Sequence, residues 1–454
     1  MAISTIKRFI SVLNAAFKAL PVTVSMVETE RLAMLVHHAM ESKTRAYHTS
    51  GHVFGMCKGM KPLQVLAALF HDLVYYQLDG GFPAHATGLL QDVTRHDGDA
   101  LVLQPIAPDD QALSLCAALF GFAPGEVLPL YGGMNEFLSA VVAARVLHAR
   151  VGVADLIAIV AGIEATIPFR PPDSGGRSAA DRLALRVHQA YCERVGPVDA
   201  HAAQAFVDVV VGDAVALTNR DVGSFAEADP GLFLSNTWLL IEESNAPLAV
   251  AGMYTLQEYR CGLTRMDGFL RTLNPLHVFQ CYKQSPSARE LADLRASAAR
   301  NIAFAVDFLG AKITSIAIVE ALALSTGTDG PISMFLGEIR SAYGRPERVE
   351  DYLPAVAASH DVNPDLLWVF EKGRTLESSN DLTASPITAF VYRSIGHEGT
   401  RQALLGVRQM FDGTQSPLAF LQSLDRGMVR AIIRACARVA LSRSEALRAL
   451  EPCL

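Results

Sequence analysis

Tyr47-His-Thr-Ser-Gly-His52, followed after a short turn by Val65-Leu-Ala-Ala-Leu-Phe-His-Asp72-Leu73 and then by Tyr75-Tyr-Gln-Leu-Asp79, decides how this chain is read. Residues four apart are neighbours on a helix, so His48 and His52 are expected on one face. The run Val65 to Leu73 is apolar enough to lie inside the protein, yet it carries His71 and Asp72 near its end. An ionised carboxylate taken out of water beside an imidazole needs compensation. Neutral imidazole and carboxylate together are good ligands for Zn, Mn, Fe or, less readily, Mg, so a divalent cation is the strongest partner. The turn Gly59-Met-Lys-Pro62 lets the two helices pack antiparallel, which would aim His52, His71 and Asp72 at one spot.

This pattern resembles the HD superfamily of metal-dependent phosphohydrolases, in which an upstream His, the His-Asp pair and a distant Asp bind the metal. Tyr47 to His52 is also similar to the Tyr-His-Asn-x-x-His signature of the cyclic-nucleotide phosphodiesterases in that superfamily, with Thr49 standing where those enzymes carry Asn. The likeness covers roughly residues 30 to 230. It implies His52 as a metal ligand and His48 as proton donor to the leaving oxygen.

The fourth ligand is sought among Asp155, Asp208, Asp213 and Asp221. Asp155 opens an apolar helix, where the helix dipole alone accounts for a carboxylate. Asp208 and Asp213 sit among valines. Asp221, in Asn219-Arg-Asp-Val-Gly-Ser-Phe225, is the one implied by the resemblance. Its implied ligand set is His52, His71, Asp72 and Asp221 around Mn, Zn, Fe or Mg. Asp72 would orient the nucleophilic water or bridge a second ion, and His48 is either the proton donor or a histidine that orients the site. Asp79 and Glu164 are further candidates for a second metal, and Arg45 and Arg170 for phosphate. The expected activity is hydrolysis of a nucleotide or other small phosphate ester. An HD-type di-iron oxygenase and a non-catalytic metal- or ligand-binding signalling protein are the alternatives.

Outside the motif, the chain of 454 residues has length for two or three domains. Half its residues are hydrophobic, Ala and Leu dominate, and aromatics are few. An all-α, HD-like helical bundle is expected over 1–230, with a second helical unit of unassigned role over 231–454. Apolar periodicity places helices across most of the chain, among them Ala288 to Phe308, Ile313 to Leu324, Glu347 to His360, Ala403 to Phe411 and Met428 to Leu450. No alternating run of useful length is found. The formal charge of −7 gives no support to nucleic-acid binding. Seven scattered cysteines without a C-x-x-C pair argue against disulfides and thiolate zinc, so a cytoplasmic setting is expected. Met1 to Leu20 lacks the uninterrupted apolar core of a signal peptide. Charges within Phe137 to Phe169 favour a buried helical pair over a membrane span.

Overall fold

A computed structural model describes residues 4–196, 199–339, 346–376 and 381–454. Among these the protein is all-α, with one two-stranded sheet. Two compact units divide the chain: Met1–Ala226 with Asn274–Ala298, and Glu227–Leu273 with Ala299–Leu454.

The first unit contains α1 (Thr5–Lys18), α2 (Met26–Met40), α3 (Ser50–Cys57), α4 (Pro62–Phe70), α5 (Tyr76–Asp79), α6 (Thr87–Leu90), the strands β1 (Thr94–Asp97) and β2 (Ala100–Leu103), α7 (Gln111–Phe120), α8 (Met134–Leu147), α9 (Val153–Ala165), α10 (Ala179–Val195) and α11 (Ala200–Asp221). α9 is apolar on every side because it is packed on every side, by α4, α7, α8, α10 and α11. Ile157, Ile159, Val160 and Ile163 have no exposed surface, and each such side chain contributes about 1.5–3 kcal/mol by leaving water. Gly162 lets α4 approach: a Cβ there would lie 2.9 Å from that of Ala67. Pro62 starts α4, where its missing N–H has no helical partner to lose.

α4 also lies along α11. Lys61 Nζ pairs with Asp213 Oδ1 at 2.7 Å, and Gln64 Nε2 donates to the Asp213 carbonyl at 2.8 Å. Gln64 and Asp213 precede His71 and Asp221 by seven and eight residues, so two helices rising about 1.5 Å per residue bring that pair level at their ends.

The β1–β2 hairpin, with Gly98 at φ 60 in its turn, was not expected. Four-residue strands are too short to show an alternating period. Two helices, Ala200–Ala226 and Ala288–Thr326, are long and apolar enough to cross a membrane, a property that core helices share.

In the second unit and the segments bordering it lie α12 (Pro230–Glu243), α13 (Leu256–Thr272), α14 (Ala288–Thr326), α15 (Ile332–Leu336), α16 (Pro364–Lys372), α17 (Pro386–Phe411), α18 (Pro417–Gln422), α19 (Arg426–Val439) and α20 (Ser444–Leu450). α14 joins two stretches that the sequence reading separated. Gly310 does not end it, because packing outweighs a propensity cost of about 1 kcal/mol. The helix expected over Glu347 to His360 is absent: only a short 3-10 turn forms at Val349–Tyr352. Pro354 explains the failure, since it forces Leu353 into extended backbone, at φ −75 and ψ 135. Met428 to Leu450 is likewise two helices, joined by a turn at Leu441–Arg443.

Candidate metal centre

His52 lies in the first turn of α3, His71 caps the C-terminus of α4, Asp72 follows it, and Asp221 is the last residue of α11. Three helix ends therefore meet. The expected helical pairing of His48 with His52 is not what brings them close. Thr49 is the extended N-cap of α3, so His48 precedes the helix. Its ring nevertheless stands 6.0 Å from that of His52, between Tyr47 and Tyr75 at 5.0 and 4.8 Å.

The ligand atoms of His52, His71 and Asp72 all lie within 4.8 Å of one another. His71 Nε2 is 2.8 Å from Asp72 Oδ2 and 3.7 Å from Asp221 Oδ1, and His52 Nε2 is 3.8 and 3.0 Å from the same two atoms. Ligands about 2.0–2.2 Å from a shared ion stand roughly 3 to 3.5 Å apart, so these separations suit one cation. His52 Nε2, His71 Nε2 and Asp72 Oδ2 are buried and lack any hydrogen-bond partner. On the far side of its ring, His71 Nδ1 is 2.8 Å from the Ala68 carbonyl. A carbonyl only accepts, so Nδ1 carries a proton, and Nε2 faces the cluster, where a bound metal ion would take the place of any second proton. His52, His71 and Asp72 thus form a group that can hold a metal ion.

The electrostatics are those of anions and imidazoles sharing a dry space. Burial opposes charge on His71, but Asp72 and Asp221 outweigh it and hold its basicity well above the ordinary range. Burial likewise opposes the Asp72 charge, and His71, with His48 and His52, overcomes it and lowers the carboxyl. Asp221 is lowered by His52 and His71 against the same opposition.

Of the four carboxylates considered for the last position, only Asp221 reaches the cluster. Asp208 pairs with Lys283 and Tyr282, Asp213 with Lys61, and Asp155 stays in the first turn of α9. The other candidates have structural partners too. Arg45 is buried, paired with Asp79 at 2.8 Å and donating to the Asp72 carbonyl at 2.6 Å, so both side chains brace the loop behind the His-Asp pair. Glu164 is held by Arg170 and Arg186, each at 2.5 Å.

α8 supplies the remaining support. Asn135 accepts from the Tyr76 amide, and Ser139 accepts from the Val74 amide. Between them lies Glu136, which the sequence reading missed. Burial, reinforced by the charges of Asp72 and Asp221, pushes its carboxyl up to about 7. An acid in the first turn of a helix reads as a dipole partner, and only the fold reveals which anions it faces.

Comparison of the chain with protein-family models, curated proteins and solved structures yields no match.

Proposed function

We propose that this protein is a metal-dependent phosphohydrolase or phosphodiesterase acting on a nucleotide or other small phosphate ester. The observation that carries the reading is the convergence of three buried, hydrogen-bond-free ligand atoms, with the Asp221 carboxylate closing the group. The motif's likeness to HD phosphohydrolases supports it. Bound there, a divalent ion of the Mn, Zn, Fe or Mg kind would supply an acidified water and a positive charge for the phosphoryl oxygens. His52, His71, Asp72 and Asp221 would hold it. Arg45 fixes the backbone at Asp72, and the Ala68 carbonyl fixes the His71 tautomer. His48, partly exposed beside His52, is the group to hand a proton to the leaving oxygen.

The test combines elemental analysis of the purified protein with a panel of phosphomonoesters and phosphodiesters. One equivalent or more of transition metal, and hydrolysis that both disappear in His71→Ala/Asp72→Ala, is the expected result. Metal retained by that variant would move the site elsewhere. Metal bound without turnover of any ester would leave a binding protein.

A further inference from the structure

The second unit buries a group of charges that the metal centre does not use. Lys312, on α14, is 5% exposed, and its Nζ donates to Ser385 Oγ at 2.9 Å and lies 3.4 Å from Asp381 Oδ2. Arg374, 4% exposed, donates to the Leu382 carbonyl and stands 3.7 Å from the same Asp381 oxygen. Its Nε and Nη1 have no hydrogen-bond partner. Trp238 neighbours both cations, with its ring centre 4.7 Å from Lys312 Nζ and 4.0 Å from Arg374 Cζ. Glu242 also acts on Arg374, and Tyr259 donates its hydroxyl to Asp381 at 3.0 Å. A network serving stability alone is commonly matched or bettered by apolar residues of similar volume.

Lys312 also borders a cavity of about 60 Å³, with Tyr254, Tyr259, Glu350, Asp381 and Ser385 among aliphatic side chains. A cavity of about 150 Å³ takes a six-carbon ring, so this one suits roughly two to four non-hydrogen atoms. Burial, and Arg374 beside it, push the Lys312 ammonium down to about 8 in spite of Asp381. Lysines activated in this way, by an apolar pocket and a neighbouring cation, are nucleophiles towards carbonyl carbon.

We propose that the second unit carries a separate reactive site, in which the amine of Lys312 forms an imine with a small aldehyde or ketone held in the Tyr254–Tyr259–Asp381–Ser385 cavity. The Nζ lone pair attacks the carbonyl carbon and a C–N bond forms. Both amine protons leave with the carbonyl oxygen as water, carried across by the Asp381 carboxylate, and the C=N bond remains. No oxidant or reductant is consumed.

The full-length protein is treated with formaldehyde or acetaldehyde and cyanoborohydride, and each lysine is followed by peptide mass spectrometry. At pH 7 Lys312 is expected to be alkylated at least about tenfold faster than the other seven lysines, all of them exposed. The advantage should shrink as pH approaches 10, where the exposed amines also lose their protons; a lysine with a merely structural role would show no such profile. At pH 10, where Lys312 is unprotonated with or without Asp381, Asp381→Asn should slow the Lys312 reaction through loss of the proton carrier while leaving the exposed lysines unchanged. Lys312→Arg, checked for its melting temperature, should abolish the fast reaction. If neither aldehyde modifies Lys312 faster than the exposed lysines, the proposal is wrong, and this comparison needs no variant to fold.

Discussion

His48 and Glu136 flank the His-Asp cluster without belonging to it, and they make opposite demands on experiment. If His48 hands a proton to the leaving group, His48→Asn should lower turnover by about 10²–10⁴-fold while metal content stays at the wild-type level. Near-normal turnover per bound metal would remove it from the chemistry. Glu136 is a question of stability. Its carboxyl is raised to about 7 in the fold from an ordinary 4.5, so the folded state holds a proton that the unfolded chain releases between those values. A raised acid destabilises above that window, and the effect vanishes below about pH 4.5. Chelator-treated Glu136→Gln should therefore be more stable than wild type at pH 8, by at most about 3 kcal/mol and less where water screens the partly exposed group, and equal to it at pH 4. Denaturant melts at the two pH values decide this, and an equal gain at both would reject the assignment.

Among the elements, the loop between α4 and α5 has the most to lose. Arg45 has no exposed side-chain surface and is committed to Asp79 and to the carbonyls of Asp72 and Leu73. Arg45→Met leaves Asp79 without its ion-pair partner, with only the Tyr75 amide among the described residues still donating to it, and those carbonyls without their donor, and a loss of about 3–5 kcal/mol is expected in equilibrium unfolding. A cost under about 1 kcal/mol would mean that the pair is solvated. Arg45 also illustrates what a sequence can convey. Helices with apolar periodicity were legible, as were His52, His71 and Asp72, because each is an unusual residue in a pattern whose period is known. Arg45 read as a candidate for phosphate or as an ordinary surface arginine, since nothing in its neighbours announces a partner thirty-four residues away. Asp221 could not be separated from Asp208 or Asp213 by composition; Lys61 and Lys283, which engage the other two, are distant in sequence. The helix expected at Glu347 to His360 failed for a legible reason, the proline at 354, which apolar periodicity was allowed to override.

For the molecule as a whole, the cluster ties together helix ends that lie far apart in the chain, at residues 52, 71, 72 and 221. A cation that binds only the folded state must stabilise it, by about 2.7 kcal/mol at one hundred times its dissociation constant. Titrating Mn, Zn or Mg into chelator-treated protein should raise the melting temperature saturably, and His71→Ala/Asp72→Ala should show no rise; an equal rise in that variant would place the ion elsewhere. The first unit also recruits Asn274–Ala298, from which Gln280 exchanges hydrogen bonds with Asn219, and Tyr282 and Lys283 hold Asp208. A ribosome therefore delivers the last piece of this unit roughly fifty to eighty residues after the helix that bears Asp221. At about 5–20 residues per second, that is a wait of several seconds. Throughout it, the nascent chain exposes an incomplete half to chaperones and proteases, and a gene fragment that stops at the codon for residue 230 would make the wait permanent.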